Sequence, residues 1–108
     1  MGALKEKLRQ RYATLTQDMQ PVHVPEWETE FYVAPVTISQ AAIIDAESDD
    51  YRRAARIVQV RAKKADGSRM FDDEDFEAMI THGEAELVGR VARSIMKTDR
   101  TREEIEKK

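Results

Sequence analysis

The sequence contains no cysteine, which excludes disulfides, zinc ribbons and thiol nucleophiles. Aromatic residues make up only 6% of it, with a single tryptophan, while 36% of the residues are charged against a usual quarter. That balance suits a small helical domain with solvated faces better than an enzyme built around a pocket. The apolar runs are only a few residues long, so nothing reads as a membrane span. The opening stretch Met1-Gly2-Ala3-Leu4-Lys5-Glu6 has no signal-peptide apolar region, and Glu6 stands where a myristoylation pattern wants Ser or Thr. There is no Gly-rich phosphate loop and no nucleophile-elbow serine. The two histidines, His23 and His82, sit beside a strand proline and at a helix end, where surface or capping roles are usual. The acids Asp72 to Asp75 fail the EF-hand spacing, because Phe76 and Glu77 fall at loop positions five and six. No catalytic, cofactor or metal residue is assigned.

The 108 residues and 12.4 kDa fit one domain. The formal net charge of −3 hides strong segregation. Residues 1–20 carry +2, 21–50 carry −7, 51–70 carry +6, 71–89 carry −7 and 90–108 carry +3. Blocks of this size favour complementary contacts, within the chain or between copies.

Three regions follow: an amphipathic helix within 1–20, an α+β core over 21–97 and a charged, flexible tail over 98–108. The expected fold class is α+β, mainly α, with a short β-hairpin packed against three to four helices. In the first region Leu4, Leu8, Tyr12, Leu15 and Met19 recur every three or four residues over 3–19, and Pro21 stops the helix. A single apolar strip of this kind docks on its own core or on a partner. Val22–Trp27 and Glu30–Val36 read as two edge strands of a hairpin. Phe31 and Val33 should face one way, and Glu30, Tyr32 and Ala34 the other.

Thr37 and Gln40 form a capping box for a helix running to about Glu47, with Ile38, Ala41, Ala42 and Ile44 on its buried side. Residues 51–64 place Tyr51, Ala54, Ala55, Val58 and Ala62 on one stripe. Over Ile57–Val60 the pattern also fits a strand, and helix is favoured because the periodicity begins earlier and continues later. Asp66-Gly67 is a turn. Asp72 caps a helix carrying Phe76, Met79 and Ile80, and Gly83 is expected in the left-handed conformation at its end. A last helix should span Glu84 to Met96 through Leu87, Val88, Val91, Ala92 and Ile95.

The segment Val22 to Met96 resembles the tail assembly chaperones of long-tailed, siphovirus-type bacteriophages. The resemblance rests on the order of Val24-Pro25-Glu26-Trp27, then Phe31 through the Thr37-capped helix to Gln40, and then Ile57–Val60 leading to Asp66-Gly67 and Phe71. An acidic helix start, Asp72–Phe76, and a final helix from Glu84 complete it. The first helix lies outside this pattern. The resemblance implies a non-enzymatic protein of the host cell cytoplasm, absent from the mature virion. Such a protein binds the tape measure protein and assists assembly of the tail tube protein. It also implies a homo-oligomer with no cofactor and no membrane association. Candidate contact residues are Leu4, Leu8, Tyr12, Leu15, Trp27, Tyr32, Arg52, Arg53 and Arg56. The alternative is a small nucleic-acid-binding regulator that uses the basic 52–64 helix, opposed by an acidic block on each side.

Overall fold

In the computed structural model, which describes residues 2–106 and side chains as far as Arg100, the first apolar stripe winds into α1, Gly2–Gln17. A helix that served only its own domain would bury one face, yet none of its residues is buried. The chain then enters strand β1, Gln20–Val24, which pairs antiparallel with β2, Thr29–Val33, in the register Gln20↔Val33 and Val22↔Phe31. The period of two sends Val22, Val24, Phe31 and Val33 inward.

The connection differs from a plain strand extension. Pro25–Trp27 form one turn of 3-10 helix, and Glu28 takes the left-handed conformation (φ 51°, ψ 43°) that glycine or asparagine would ordinarily supply. Pro25 thus starts the turn, where its fixed φ fits, and Pro21 lies on the edge strand, where its missing N–H costs nothing. Ala34 departs from the expected alternation. It lies past the end of β2 and is buried, its carbonyl facing Arg61.

Thr37 and Gln40 close the capping box of α2, Ile38–Asp45. Its expected buried face is corrected to Ile44 alone. Ile38 is 91% exposed and Ala42 is exposed, because a helix of eight residues touches the body along one short line. Asp49 caps α3, Asp50–Arg61, so Ile57–Val60 is helical. Ala55 and Val58 are buried on the predicted stripe, whereas Tyr51 stands 70% exposed in the first turn.

Directly after α3, Ala62 and Lys63 form β3, which pairs with Val33 and Tyr32 and makes β2 the central strand of a three-stranded sheet. Two residues are too few to show a strand period, so the hairpin expected from sequence lacks this third member. Gly67 takes φ 88° in the following turn, as its Asp-Gly setting requires.

Asp72 and Asp75 build a reciprocal capping box for α4, Asp73–His82, whose Phe76 is buried. Gly83 is not left-handed: its φ is −76°. Glycine is needed there for space, since a Cβ would lie 2.5 Å from the Met79 carbonyl oxygen. Leu87, Val88, Val91, Ala92 and Ile95 are all buried on α5, which runs as Ala85–Glu106, ten residues past the expected end at Met96. The extension carries Asp99 to Arg61, so α3 and α5 lie side by side in the same direction. Together with Phe31 from the sheet and Phe76 from α4, these two helices form the core. The α+β, mainly α, class is observed, and among the described residues no helix is long and apolar enough to cross a membrane.

Candidate partner-binding surface

Leu4, Leu8, Tyr12 and Leu15 do line one side of α1, but the body meets only its far end. Tyr12 and Leu15 are half-buried, and the Tyr12 hydroxyl donates to the Pro35 carbonyl at 3.3 Å. The last turn, Thr16 and Gln17, shares a cavity of about 430 Å³ with Met19, Tyr32 and the Ala65–Gly67 turn. Every residue from Gly2 to Arg11 is exposed, with Leu4 at 65% and Leu8 at 59%. The first three turns therefore stand clear of the domain with their leucines uncovered.

Trp27 and Tyr32 lie on opposite sides of the hairpin region. Trp27 is half-buried at the edge of the core, its ring edge-to-face with Phe71 at 6.3 Å. Phe71 in turn meets Phe31 at 6.1 Å. A shallow pocket of about 280 Å³, lined by Trp27, Phe71, Met79 and His82, opens beside this chain of rings. Tyr32 points away from the core, as the strand alternation requires, and its hydroxyl donates to Glu30 at 3.4 Å. The two aromatics do not form one patch with Leu4 and Leu8.

Arg52, Arg53 and Arg56 converge on a single acid that sequence reasoning did not single out. Glu47, two residues past the end of α2, accepts from Arg56 Nη2 at 3.0 Å and from Arg52 Nε at 3.4 Å. Its main-chain carbonyl accepts from Arg53 Nε at 3.1 Å. The Arg56 hydrogen bond, with that of Arg52, holds the Glu47 carboxyl below its ordinary range. The Arg56 guanidinium carbon also lies over the Phe76 ring, 3.6 Å from its centre, with that of Arg52 at 5.5 Å. The cluster clamps α2, α3 and α4 together.

Further along the basic segment, Arg61 is 4% exposed and bonded to Asp99. Lys63 is half-buried, and its burial, with Arg69 and Arg61 nearby, lowers its pKa. The cations of 52–64 thus point in several directions, and a row facing one strand of phosphates is not formed. On the other flank of the fold, Arg90 pairs with Glu26, tying α5 to the turn of the hairpin and lowering the Glu26 pKa.

A second apolar surface went unrecognised in the sequence. A groove of about 520 Å³ runs between α3 and α5, floored by Ala54, Ile57 and Ala92, with Tyr51 and Met96 standing exposed in its walls. The helical period places Tyr51 on the inward stripe of α3. Its place in the first turn of α3, beside Ala85 and Glu86 at the start of α5, leaves it 70% exposed, and a period does not report how far a neighbour reaches over a side chain. Among the described residues no group of three or more His, Cys, Asp or Glu side chains lies close enough to hold a metal ion. Comparison with family models, with curated proteins and with solved structures yields no match.

Proposed function

We propose that this protein is a tail assembly chaperone of a long-tailed phage. In this reading it acts without catalysis in the host cell cytoplasm and is left out of the mature virion. It holds the long helical tape measure protein in solution and brings tail tube protein to it. The observation that carries the reading is the uncovered leucine stripe at the start of α1: ten successive exposed residues on a helix, with Leu4 and Leu8 on one face. An amphipathic helix presented this way recognises another helix through apolar anchors at i, i+4 spacing, with charge setting encounter and register. The order of strands, caps and acidic helix start that resembles the family supplies the identity of the partner.

Tyr12 and Leu15 contribute less in this reading than Leu4 and Leu8, since the body already covers part of them. The nucleic-acid alternative is weaker, because Arg52, Arg53 and Arg56 are engaged by Glu47 and Arg61 by Asp99. The test is co-expression with the long helical protein that this reading expects to be encoded beside this chain. The soluble fraction of that protein should rise with the wild type. It should fall back with Leu4→Ser plus Leu8→Ser, at unchanged circular dichroism. A tape measure protein equally soluble with and without this chain overturns the assignment.

A further inference from the structure

Two faces of α4 set an aromatic ring beside a carboxylate, and an arginine of this chain fills only the first. There Arg56 lies 3.6 Å from the centre of the Phe76 ring, donates to Glu47 at 3.0 Å and stands 3.9 Å from Asp73. On the second face Asp75, Met79 and His82 recur at helical spacing and form one wall of the 280 Å³ pocket. Trp27 and Phe71, perpendicular at 87°, make a corner of it. Among the described residues no Lys or Arg lines this pocket. We propose that it takes an arginine side chain from a basic segment of a partner protein.

Charge selects the occupant. Asp75 is the one carboxylate in the pocket wall. Its Oδ2 accepts from the Asp72 main chain in the capping box, which leaves Oδ1 open to a ligand. Residues 71–89 carry seven acids and no Lys or Arg, so the surroundings attract a cation too. His82 marks the C-terminal turn of α4, where the helix dipole favours positive charge. Arginine suits the site better than lysine. Its planar guanidinium stacks on a ring while its fork donates to a carboxylate, as Arg56 does on the first face, and its apolar stem would lie along Met79. The volume falls just below the range of about 300–1,000 Å³ usual for small-molecule sites, which leaves room for one long side chain. The walls are already in place: Phe71 is braced by Phe31 at 6.1 Å, and the Thr29 hydroxyl donates to the Trp27 carbonyl at 2.8 Å. Binding therefore needs little reordering. No residue of α1 lines the pocket, and a short peptide tests it without any tail protein, so its failure and that of the proposed function are separable.

Trp27 is the single tryptophan, so its indole N–H gives a magnetic-resonance signal unique to the site. The probe is an acetylated, amidated alanine peptide with one central arginine, titrated to millimolar concentration at about pH 8, where imidazole is ordinarily neutral. It should shift the Trp27 indole signal and the Met79 methyl signal saturably. The same peptide with citrulline, an uncharged isostere of arginine, should shift neither. Asp75→Asn keeps an oxygen for the capping box and should weaken binding of the arginine peptide by about threefold to fivefold. Glu77→Gln removes the same charge from the same helix outside the pocket and should leave the affinity within about twofold. Both side chains are exposed, so the fold is kept. An unmoved Trp27 signal overturns the proposal. So does equal binding of the citrulline peptide, an affinity unchanged in Asp75→Asn, or equal weakening by Asp75→Asn and Glu77→Gln.

Discussion

Arg61 and Asp99 meet across 38 residues of chain in a two-pronged ion pair, Nη2 to Oδ1 at 2.7 Å and Nη1 to Oδ2 at 2.9 Å. The arginine also donates to the Ala34 carbonyl at 2.9 Å, so one buried guanidinium joins the end of α3, the exit of β2 and the second half of α5. Removing one partner of a buried pair strands the other charge and costs about 3–5 kcal/mol. Asp99 is partly in water, which places Asp99→Ala at the lower end of that range. Replacing both, as Arg61→Met plus Asp99→Leu, should cost less than Asp99→Ala alone, because no charge is left buried. Thermal melts of the two variants beside the wild type check this, with the double variant melting above the single one.

Glu47 provides a pH-dependent contribution whose sign follows from its lowered pKa. A carboxyl held below its ordinary value of 4.5 stabilises the folded state fully above that pH. The contribution disappears as pH falls through the folded-state value, where both states bind the proton. Wild type should therefore exceed Glu47→Gln in stability at pH 7. The gap should close below about pH 4.5. Glu26, lowered by Arg90, titrates in the same sense, so Glu47→Gln removes only part of the acid limb. Urea titrations at a series of pH values read the gap directly.

The two interior glycines of the last third should respond oppositely to a methyl group. At Gly83 a Cβ meets the backbone carbonyl of Met79 at 2.5 Å and Val88 at 3.1 Å, and backbone cannot yield as a side-chain tip can. Gly83→Ala should destabilise by about 1–3 kcal/mol. At Gly89 the nearest atom is Arg93 Nη1 at 3.4 Å, the mobile end of a long side chain. Gly89→Ala should stabilise by up to about 1 kcal/mol through helix propensity. Melting temperatures of the pair settle both.

What was legible beforehand tracks the range of the interaction concerned. Caps and periods are local, and Thr37–Gln40, Asp72 and the Leu87–Ile95 stripe act where their residue types place them. The position of a neighbour is not local. Ile38 and Tyr51 carry the right period and find nothing to pack against. Asp99 looks like part of a charged tail until Arg61, 38 residues earlier, turns out to be buried opposite it. The uncovered leucines of α1 were readable as a stripe, but their exposure was not. The arginines read as a binding face are drawn inward by Glu47, an acid in a short connection that no pattern marks.

The stripe itself is open to direct measurement. Calorimetric titration of helical fragments of a tape measure protein, the partner class proposed above, into this chain reads its affinity without the complications of expression. Burying one leucine side chain contributes about 1.5–3 kcal/mol, and each 1.4 kcal/mol is tenfold in affinity. Binding to the wild type that weakens by about a hundredfold or more in Leu4→Ser plus Leu8→Ser is the predicted result. Equal affinity for the two proteins, or no heat with any fragment, would contradict the account.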